Sequence, residues 1–175
     1  MKSALTVAVT ITVGIVLSGC VLTQKMMPGT MSSSEIIGVL DTINRSEIDA
    51  GRLAKEKATA PEVRSFASRM VSEHQRMMED MKQWAQRMDV QPQKPALAFT
   101  LNDSHQDAME KLRDKSGSDF DKAYIEYQVI MHEQAVSLVR NAADQVENFS
   151  LKKHLRETRP DLQNHLASAE SIEHE

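Results

Sequence analysis

The segment PEVRSFASRMVSEHQRMMEDMKQWAQRM (residues 61–88) carries apolar side chains at alternating intervals of three and four residues. This spacing is typical of the core-facing stripe of a helix that packs in a bundle. One member of the stripe, His74, is ionisable and stands where an apolar residue is expected. Burying an ionisable group costs free energy unless it is paired, hydrogen-bonded or bound to a metal ion. The segment therefore predicts a bundle helix with a polar position in its core.

Three further segments show the same stripe, at residues 34–58, 119–144 and 149–172. Each also has one polar member, and these are Glu47, His132 and His165. No segment shows the alternation that is typical of a strand. Two helical hairpins with short turns, joined by a long connection, predict an all-α four-helix bundle with a crossover over residues 34–173.

The connection between the two hairpins contains Pro92 and Pro95, which exclude a continuous helix there. We expect a shorter extra helix at about residues 102–115, with Asn102 as its cap. Pro160 interrupts the fourth stripe and is expected to kink or split that helix, because it lacks a backbone donor.

The four polar stripe residues are predicted to lie at similar heights in the bundle. Glu47 lies thirteen residues before the turn at Ala60, and His74 lies fourteen after it. His132 and His165 lie sixteen and seventeen residues from a second turn at Asn148. Because a helix rises about 1.5 Å per residue, each pair shares a level, and both levels are near mid-helix. We therefore expect the four side chains to meet near the centre of the bundle.

One carboxylate and three imidazoles form a credible ligand set for a single divalent transition metal ion, Fe, Zn or Mn. The alternative is a buried hydrogen-bonded network that sets the register of the helices without metal. Met70 and Met77 flank His74 on its stripe, and thioethers favour Cu(I). Methionine in a stripe is more often adaptable core filler, so copper is placed behind the other ions.

Several neighbours could modify such a site. Tyr124 and Tyr127 lie within two turns of His132 and could donate to a ligand or simply pack. Asp161, four residues before His165, could orient that ring or stand early in a helix restarted by Pro160. Two residues are given no part in the site, since Glu73 falls off the stripe and is expected to be solvated, and His105 has no assignable role.

The amino terminus predicts export. Lys2 and the apolar run that follows it have the pattern of a signal peptide over residues 1–19. The run Leu17-Ser18-Gly19-Cys20 resembles the bacterial lipobox, and this resemblance implies cleavage before Cys20 and lipidation of that residue. An uncleaved anchor helix and an ordinary signal peptide are the alternatives. Because no Asp follows the cysteine, the resemblance also implies an outer-membrane anchor facing the periplasm, with residues 20–33 as a tether.

Composition narrows the classes of function. The chain has 175 residues and a formal net charge of −4, with no basic patch, so nucleic acid is not an expected partner. Cys20 is the only cysteine, which excludes an internal disulfide. Phosphate-binding loops, nucleophile elbows and paired acid–base carboxylates are not found, which disfavours an enzyme. Protein partners and the choice between monomer and dimer stay open.

Three segments resemble an uncharacterised bacterial family of outer-membrane or periplasmic proteins with a ferritin-like domain of unknown function. These segments are SEIDAGRLAKEKATAPEVRSFASRMVSEHQRM (46–77), SGSDFDKAYIEYQVIMHEQAVSLVRNAA (116–143) and LKKHLRETRPDLQNHLASAESI (151–172). Its recurrent positions correspond to Glu47, His74, Asp121, Tyr124, His132 and His165, and Asp121 is therefore counted among the residues that could support the site or add a ligand. The resemblance implies a ferritin-like bundle and export, and it implies no established activity.

The chain departs from true ferritins, which hold paired irons with Glu-x-x-His motifs on two helices. No Glu-x-x-His occurs in this sequence. A mononuclear site, or none, therefore fits better than a di-iron oxidase. Three hypotheses follow: a metal-binding envelope lipoprotein that sequesters, buffers or senses an ion, a structural or partner-binding lipoprotein with a metal-free polar core, and a redox enzyme as the least favoured.

Overall fold

The computed structural model describes residues 31–174, and all the regular structure in this range is helical. The five helices are α1 (Ser33–Lys57), α2 (Pro61–Arg87), α3 (Ala96–Arg113), α4 (Gly117–Gln145) and α5 (Phe149–Glu173). The predicted signal peptide, Cys20 and most of the tether lie outside the described residues.

Two antiparallel hairpins make up the bundle. Helices α1 and α2 form one hairpin, α4 and α5 form the other, and each hairpin packs most extensively within itself. Helix α3 lies in the long crossover between them and packs against α1 and α4. The predicted all-α four-helix bundle with a helix-bearing crossover is therefore confirmed.

The crossover helix begins earlier than predicted. Helix α3 starts at Ala96, directly after Pro95, which stands at the N-cap with an extended backbone. A proline at this position interrupts nothing, because the first turn of a helix has no intrahelical partner for its N–H groups. Pro95 therefore marks the start of α3, and Asn102 lies inside that helix and does not cap it.

Helix α5 does not split at Pro160. It runs without interruption from Phe149 to Glu173 with the proline inside it. Pro160 is exposed, and so is Arg156, whose carbonyl would have received the missing N–H. Water can hydrogen-bond an exposed carbonyl, which lowers the cost of a proline at this place. The register of His165 is therefore continuous with that of Leu155.

The apolar core is divided into two clusters. One surrounds Trp84, Leu151 and Leu155, and the other surrounds Phe66 and Phe120. Between them, along the helices, lies a layer of buried polar side chains formed by Asn44, Glu47, His74, Gln128, His132 and His165. An apolar layer would complete the core at less desolvation cost. The polar layer is therefore the feature of the bundle that needs a functional explanation.

No helix within residues 31–174 combines the length and the hydropathy of a membrane span.

Candidate metal centre

Three histidines from three helices converge in the polar layer. His74 on α2, His132 on α4 and His165 on α5 are 0%, 1% and 1% exposed. One ring nitrogen from each lies within 4.8 Å of the others, and the ring centroids are 5.2–5.5 Å apart. We call these residues the histidine triad. The stripe pattern predicted their convergence, and three imidazoles this close can bind one ion.

Two of the triad rings are oriented by hydrogen-bond acceptors. His132 Nδ1 donates to the backbone carbonyl of Gln128 at 2.9 Å, and His74 Nδ1 donates to Asn44 Oδ1 at 2.9 Å. In its neutral form, a ring that donates through Nδ1 keeps its lone pair on Nε2. The two Nε2 atoms face each other at 3.4 Å. An outer acceptor that sets the tautomer in this way is typical of metal-binding histidines.

The third ring has a carboxylate partner that the sequence argument missed. His165 Nε2 donates to Glu73 Oε2, and the Glu73 side chain is 36% exposed. Within residues 31–174, His165 Nδ1 is buried without a hydrogen-bond partner. The prediction that Glu73 is simply solvated is wrong, because α2 turns this residue toward α5 at the edge of the stripe. Its position next to His74 in the sequence was the one available signal.

Glu47 lies in the same layer but outside the triad. Its carboxylate is 1% exposed and accepts a hydrogen bond from Gln128 Nε2 at 2.8 Å. None of its oxygens belongs to the group of ligand atoms that lie within 4.8 Å of one another. Glu47 therefore contacts the residue whose carbonyl orients His132. Gln128 could have been found in the sequence, since it lies four residues from both Tyr124 and His132 on α4.

Several oxygen atoms near Glu47 have unused hydrogen-bonding capacity. In the described part of the chain, Glu47 Oε1, Gln128 Oε1 and Tyr124 Oη are all buried without a partner. Tyr124 lies one turn before Gln128 on α4, and Phe66 and Phe120 pack against its ring. The predicted proximity of Tyr124 to the polar layer thus agrees with the structure, although no contact shows it donating to a triad ring.

Burial controls the protonation of this layer. Burial and the neighbouring rings of His132 and His165 hold the pKa of His74 well below its ordinary value. Burial also lowers the pKa of His165, against the opposing effect of Glu73. Burial raises the pKa of Glu47, with His132 and Gln128 acting in the opposite direction. His74 and His165 are thus poised as neutral imidazoles, the form that binds metal.

Two predicted neighbours of the site have other contacts. Asp121 accepts hydrogen bonds from the backbone N–H groups of Thr59 at 2.9 Å and Ala60 at 2.9 Å, and so ties α4 to the turn between α1 and α2. Asp161 pairs with Arg76 at 2.8 Å and does not orient His165, because it stands on the outer edge of α5. Neither carboxylate has a hydrogen bond to a triad ring in the described part of the chain.

A fourth buried histidine, which had no predicted role, links the crossover helix to the bundle. His105 on α3 is 3% exposed and bonds to Tyr127 Oη on α4 at 2.9 Å through Nδ1. Its Nε2 contacts Asp49 Oδ2 on α1 at 3.2 Å. Tyr127 therefore contacts His105 and is not oriented toward a triad ring. The pKa of Tyr127 is raised well above its ordinary value, chiefly by burial.

The flanking methionines lie on either side of the polar layer. Met70 is fully buried in the cluster around Phe66, and Met77 is 6% exposed in the cluster around Trp84. Each therefore packs as core, and each stands about one turn of α2 from His74.

Solved structures with a similar fold include a DUF305 protein from Streptomyces coelicolor, described as secreted. It is 11% identical, with a TM-score of 0.67, and the match covers 79% of this chain and 89% of that one. CopM in the Cu(II)-bound form is 18% identical, with a TM-score of 0.65 and coverage of 82% and 98%. CopM in the Cu(I)-bound form is 17% identical, with a TM-score of 0.65 and coverage of 81% and 95%. At these identities the likeness shows the fold alone.

No curated protein matches the chain. A family defined by its sequence pattern does match, and the match spans residues 22–172, which includes all five helices up to the last turn of α5. The chain therefore belongs to the family described as Domain of unknown function (DUF4142).

Proposed function

We propose that this protein is exported to the cell envelope, where it binds one transition metal ion at the histidine triad and sequesters or buffers that ion. The ligands are His74, His132 and His165. Asn44 and the Gln128 carbonyl orient the first two rings, and Glu73 orients the third. His165 then binds through Nδ1, the nitrogen without a partner among the described residues.

The observation that carries the proposal is the 3.4 Å approach of His74 Nε2 to His132 Nε2. The outer nitrogen of each ring donates to an acceptor, so two lone pairs face each other in a buried layer. This arrangement is repulsive unless a proton or a metal ion lies between the two nitrogens, and the lowered pKa of His74 disfavours a proton on that ring. Two nitrogens bound at about 2.0–2.1 Å to one tetrahedral ion are about 3.3–3.4 Å apart. The separation therefore matches that of two ligands to one tetrahedral ion.

The ligand set favours a d10 ion, Zn(II) or Cu(I). These ions accept tetrahedral nitrogen sites, and imidazole suits both zinc and copper. Copper moves ahead of iron and manganese because two similar folds are those of CopM in its Cu(II)-bound and Cu(I)-bound forms. The charge of the bound ion would be offset by Glu73, which contacts His165 directly. Glu47 is less suited to that task, because burial favours its neutral form.

The location in the envelope is part of the proposal. Its support is the signal-peptide pattern, the Leu17-Ser18-Gly19-Cys20 motif and the similarity in fold to a DUF305 protein described as secreted. Lipid on Cys20 would hold the bundle at the outer membrane on the periplasmic side. Metabolic labelling with a fatty acid tests this directly. We expect the wild-type protein to be labelled and Cys20→Ala to be unlabelled, and an unlabelled wild-type protein would disprove the anchor.

The metal proposal is tested by the metal content of the protein purified after export, without chelator and without a histidine tag. We expect close to one equivalent of a single transition metal. His132→Ala should lose the metal, whereas the control His105→Ala removes an equally buried histidine outside the triad and should keep it. If the purified protein holds no metal and takes up neither Zn(II) nor Cu(I) on titration, the polar layer serves only to set the register of the helices.

A further inference from the structure

At the boundary between α2 and α5, a partly exposed residue contacts the histidine triad. The triad rings are at most 1% exposed, and Asn44 and Gln128 beside them are 7% and 0% exposed. Glu73 contacts His165, yet its side chain is 36% exposed. One carboxylate thus touches both the buried ring and the surrounding water. A cation that binds it from outside would be adjacent to a triad nitrogen.

An ion pair between Arg76 and Asp161 spans the same boundary about one turn from Glu73. Arg76 follows Glu73 by three residues on α2, and Asp161 precedes His165 by four on α5. Arg76 Nη2 donates to Asp161 Oδ2 at 2.8 Å, and its Nη1 donates to Asp80 Oδ2 at 3.2 Å. Arg76 is exposed and Asp161 is partly exposed, with side-chain exposures of 55% and 40%. The guanidinium therefore occupies carboxylates that an incoming cation would otherwise bind.

The Arg76–Asp161 pair borders a groove between α2 and α5, and Glu73 lies one turn beyond this pair on α2, outside the lining of the groove. Its volume is about 300 Å³, and its wall includes Arg76, Asp80, Glu157 and Asp161. This volume has room for a hydrated ion, since a water molecule fills about 30 Å³ of liquid volume. Carboxylates at its wall attract cations, which raises their local concentration before binding.

We propose that the metal ion reaches the triad through the α2–α5 boundary, where Glu73 passes it to His165 and the Arg76–Asp161 pair closes the access in the metal-free protein. This inference rests on the proposed metal site. In the sequence of events, the cation competes with Arg76 for Asp161, binds the carboxylate of Glu73 and then exchanges that ligand for the triad nitrogens. Glu73 returns to His165 Nε2 as its hydrogen-bond acceptor.

A competing route exists on the opposite face of α2. A groove of about 490 Å³ between α1 and α2 is lined by Asn44, the partner of His74, and by Asp41, Arg45 and Glu79. There Arg45 pairs with Asp41 at 2.8 Å. Arg45 and Glu79 thus provide exposed counterparts of Arg76 and Glu73 beside the other groove. The α2–α5 route is preferred because Glu73 offers a cation a charged ligand in direct contact with a triad ring.

The test is the rate of metal uptake. The metal-free exported protein is mixed with Co(II) in a stopped-flow instrument, and the ligand-field absorption of bound Co(II) is recorded. Removal of the carboxylate by Glu73→Gln should slow uptake about tenfold, because a charged first contact is lost. Removal of the positive charge by Arg76→Gln should accelerate uptake about three- to fivefold. The matched controls Glu79→Gln and Arg45→Gln should leave the rate within error of the wild type.

Equilibrium titration of each variant separates this inference from the metal proposal. All four variants should still bind one equivalent of Co(II) when the ion is in excess, and only Glu73→Gln should also bind it more weakly, because Glu73 orients His165. If the Glu79 and Arg45 variants change the rate and the Glu73 and Arg76 variants do not, the ion uses the α1–α2 groove and the inference is wrong. Unchanged rates in all four variants would also overturn it. A wild-type protein that binds no Co(II) would instead disprove the metal site itself.

Discussion

His132→Ala should separate the contribution of metal to stability from that of packing. In the metal-free protein the substitution removes a buried ring and its hydrogen bond to the Gln128 carbonyl. Together these losses cost about 2 kcal/mol of the free energy of unfolding. For a domain of this size, 1 kcal/mol shifts the melting temperature by about 3–4 °C. We therefore expect Tm to fall by about 6–8 °C in the presence of chelator.

Bound metal should increase the difference in Tm between the wild-type protein and His132→Ala. An ion present at about a thousand times its dissociation constant stabilises the folded state by about 4 kcal/mol. This corresponds to a rise of about 12–16 °C in the Tm of the wild-type protein. Without His132 the ion loses one of three ligands, and the variant should show almost none of that rise. The two proteins should then differ by about 18–24 °C in excess Zn(II).

Differential scanning calorimetry with and without chelator measures all four values. His105→Ala is the control, because it removes a buried histidine whose partners are Tyr127 and Asp49. Its Tm should fall by a similar amount in both conditions. If His132→Ala lowers Tm equally with metal and with chelator, the triad does not couple to metal, and a hydrogen-bonded network alone explains the polar layer.

The remaining predictions concern protons, orientation and packing. Folding lowers the pKa of His74. As pH falls below about 6.5, His74 is therefore protonated in the unfolded chain and stays neutral in the folded protein, which favours unfolding. The Tm of the metal-free protein should therefore fall as pH is lowered from about 7 to about 5.5. Glu47 has a raised pKa and takes up a proton in the folded protein, so it makes this fall less steep. Asn44→Leu should weaken metal affinity about 10- to 100-fold in a competition titration without abolishing binding. Gly38→Ala would place its Cβ 1.8 Å from a backbone oxygen of the connection after α2, and denaturant unfolding should show a loss above about 3 kcal/mol. Asp121→Ala should cost about 2–3 kcal/mol in the same assay without changing metal affinity.

Each of these predictions has an outcome that contradicts it. A Tm of the metal-free protein that is constant or rises as pH falls would mean that the folded chain takes up at least as many protons as the unfolded chain, which contradicts a dominant effect of His74. Unchanged affinity in Asn44→Leu would show that this amide does not set the tautomer of His74. If the free energy of unfolding of Gly38→Ala equals that of the wild type, the connection after α2 must lie further from Gly38 than the structure shows. Weaker metal binding in Asp121→Ala would show that this carboxylate supports the metal site after all.

The stripe pattern was sufficient to predict the bundle. Intervals of three and four residues specify which side of each helix is buried, and they depend only on local helical geometry. The same rule placed His74, His132 and His165 on buried faces, and counting residues from the two turns placed them at one level. Helix boundaries were less predictable, since Pro95 can either exclude a helix or begin one.

The partners of the triad depended on tertiary packing. Glu73 and Asn44 lie just off the stripes, and whether such flanking residues meet a core group depends on how one helix faces the next. His105 gave no signal in the sequence, because its partners lie on two other helices. Conversely, Asp161 had the spacing of an orienting residue, yet it faces Arg76 across the α2–α5 boundary.

The sequence alone therefore determined the helices, their buried faces and the presence of three histidines at mid-bundle. Only the tertiary structure decided that Glu73, and not Glu47, is the carboxylate in contact with a triad ring. The physical reason is one of scale. A periodicity of 3.6 residues defines the direction of a side chain to within about one face of a helix, whereas hydrogen bonding requires atoms within about 3 Å. That precision comes from the packing of one hairpin against the other.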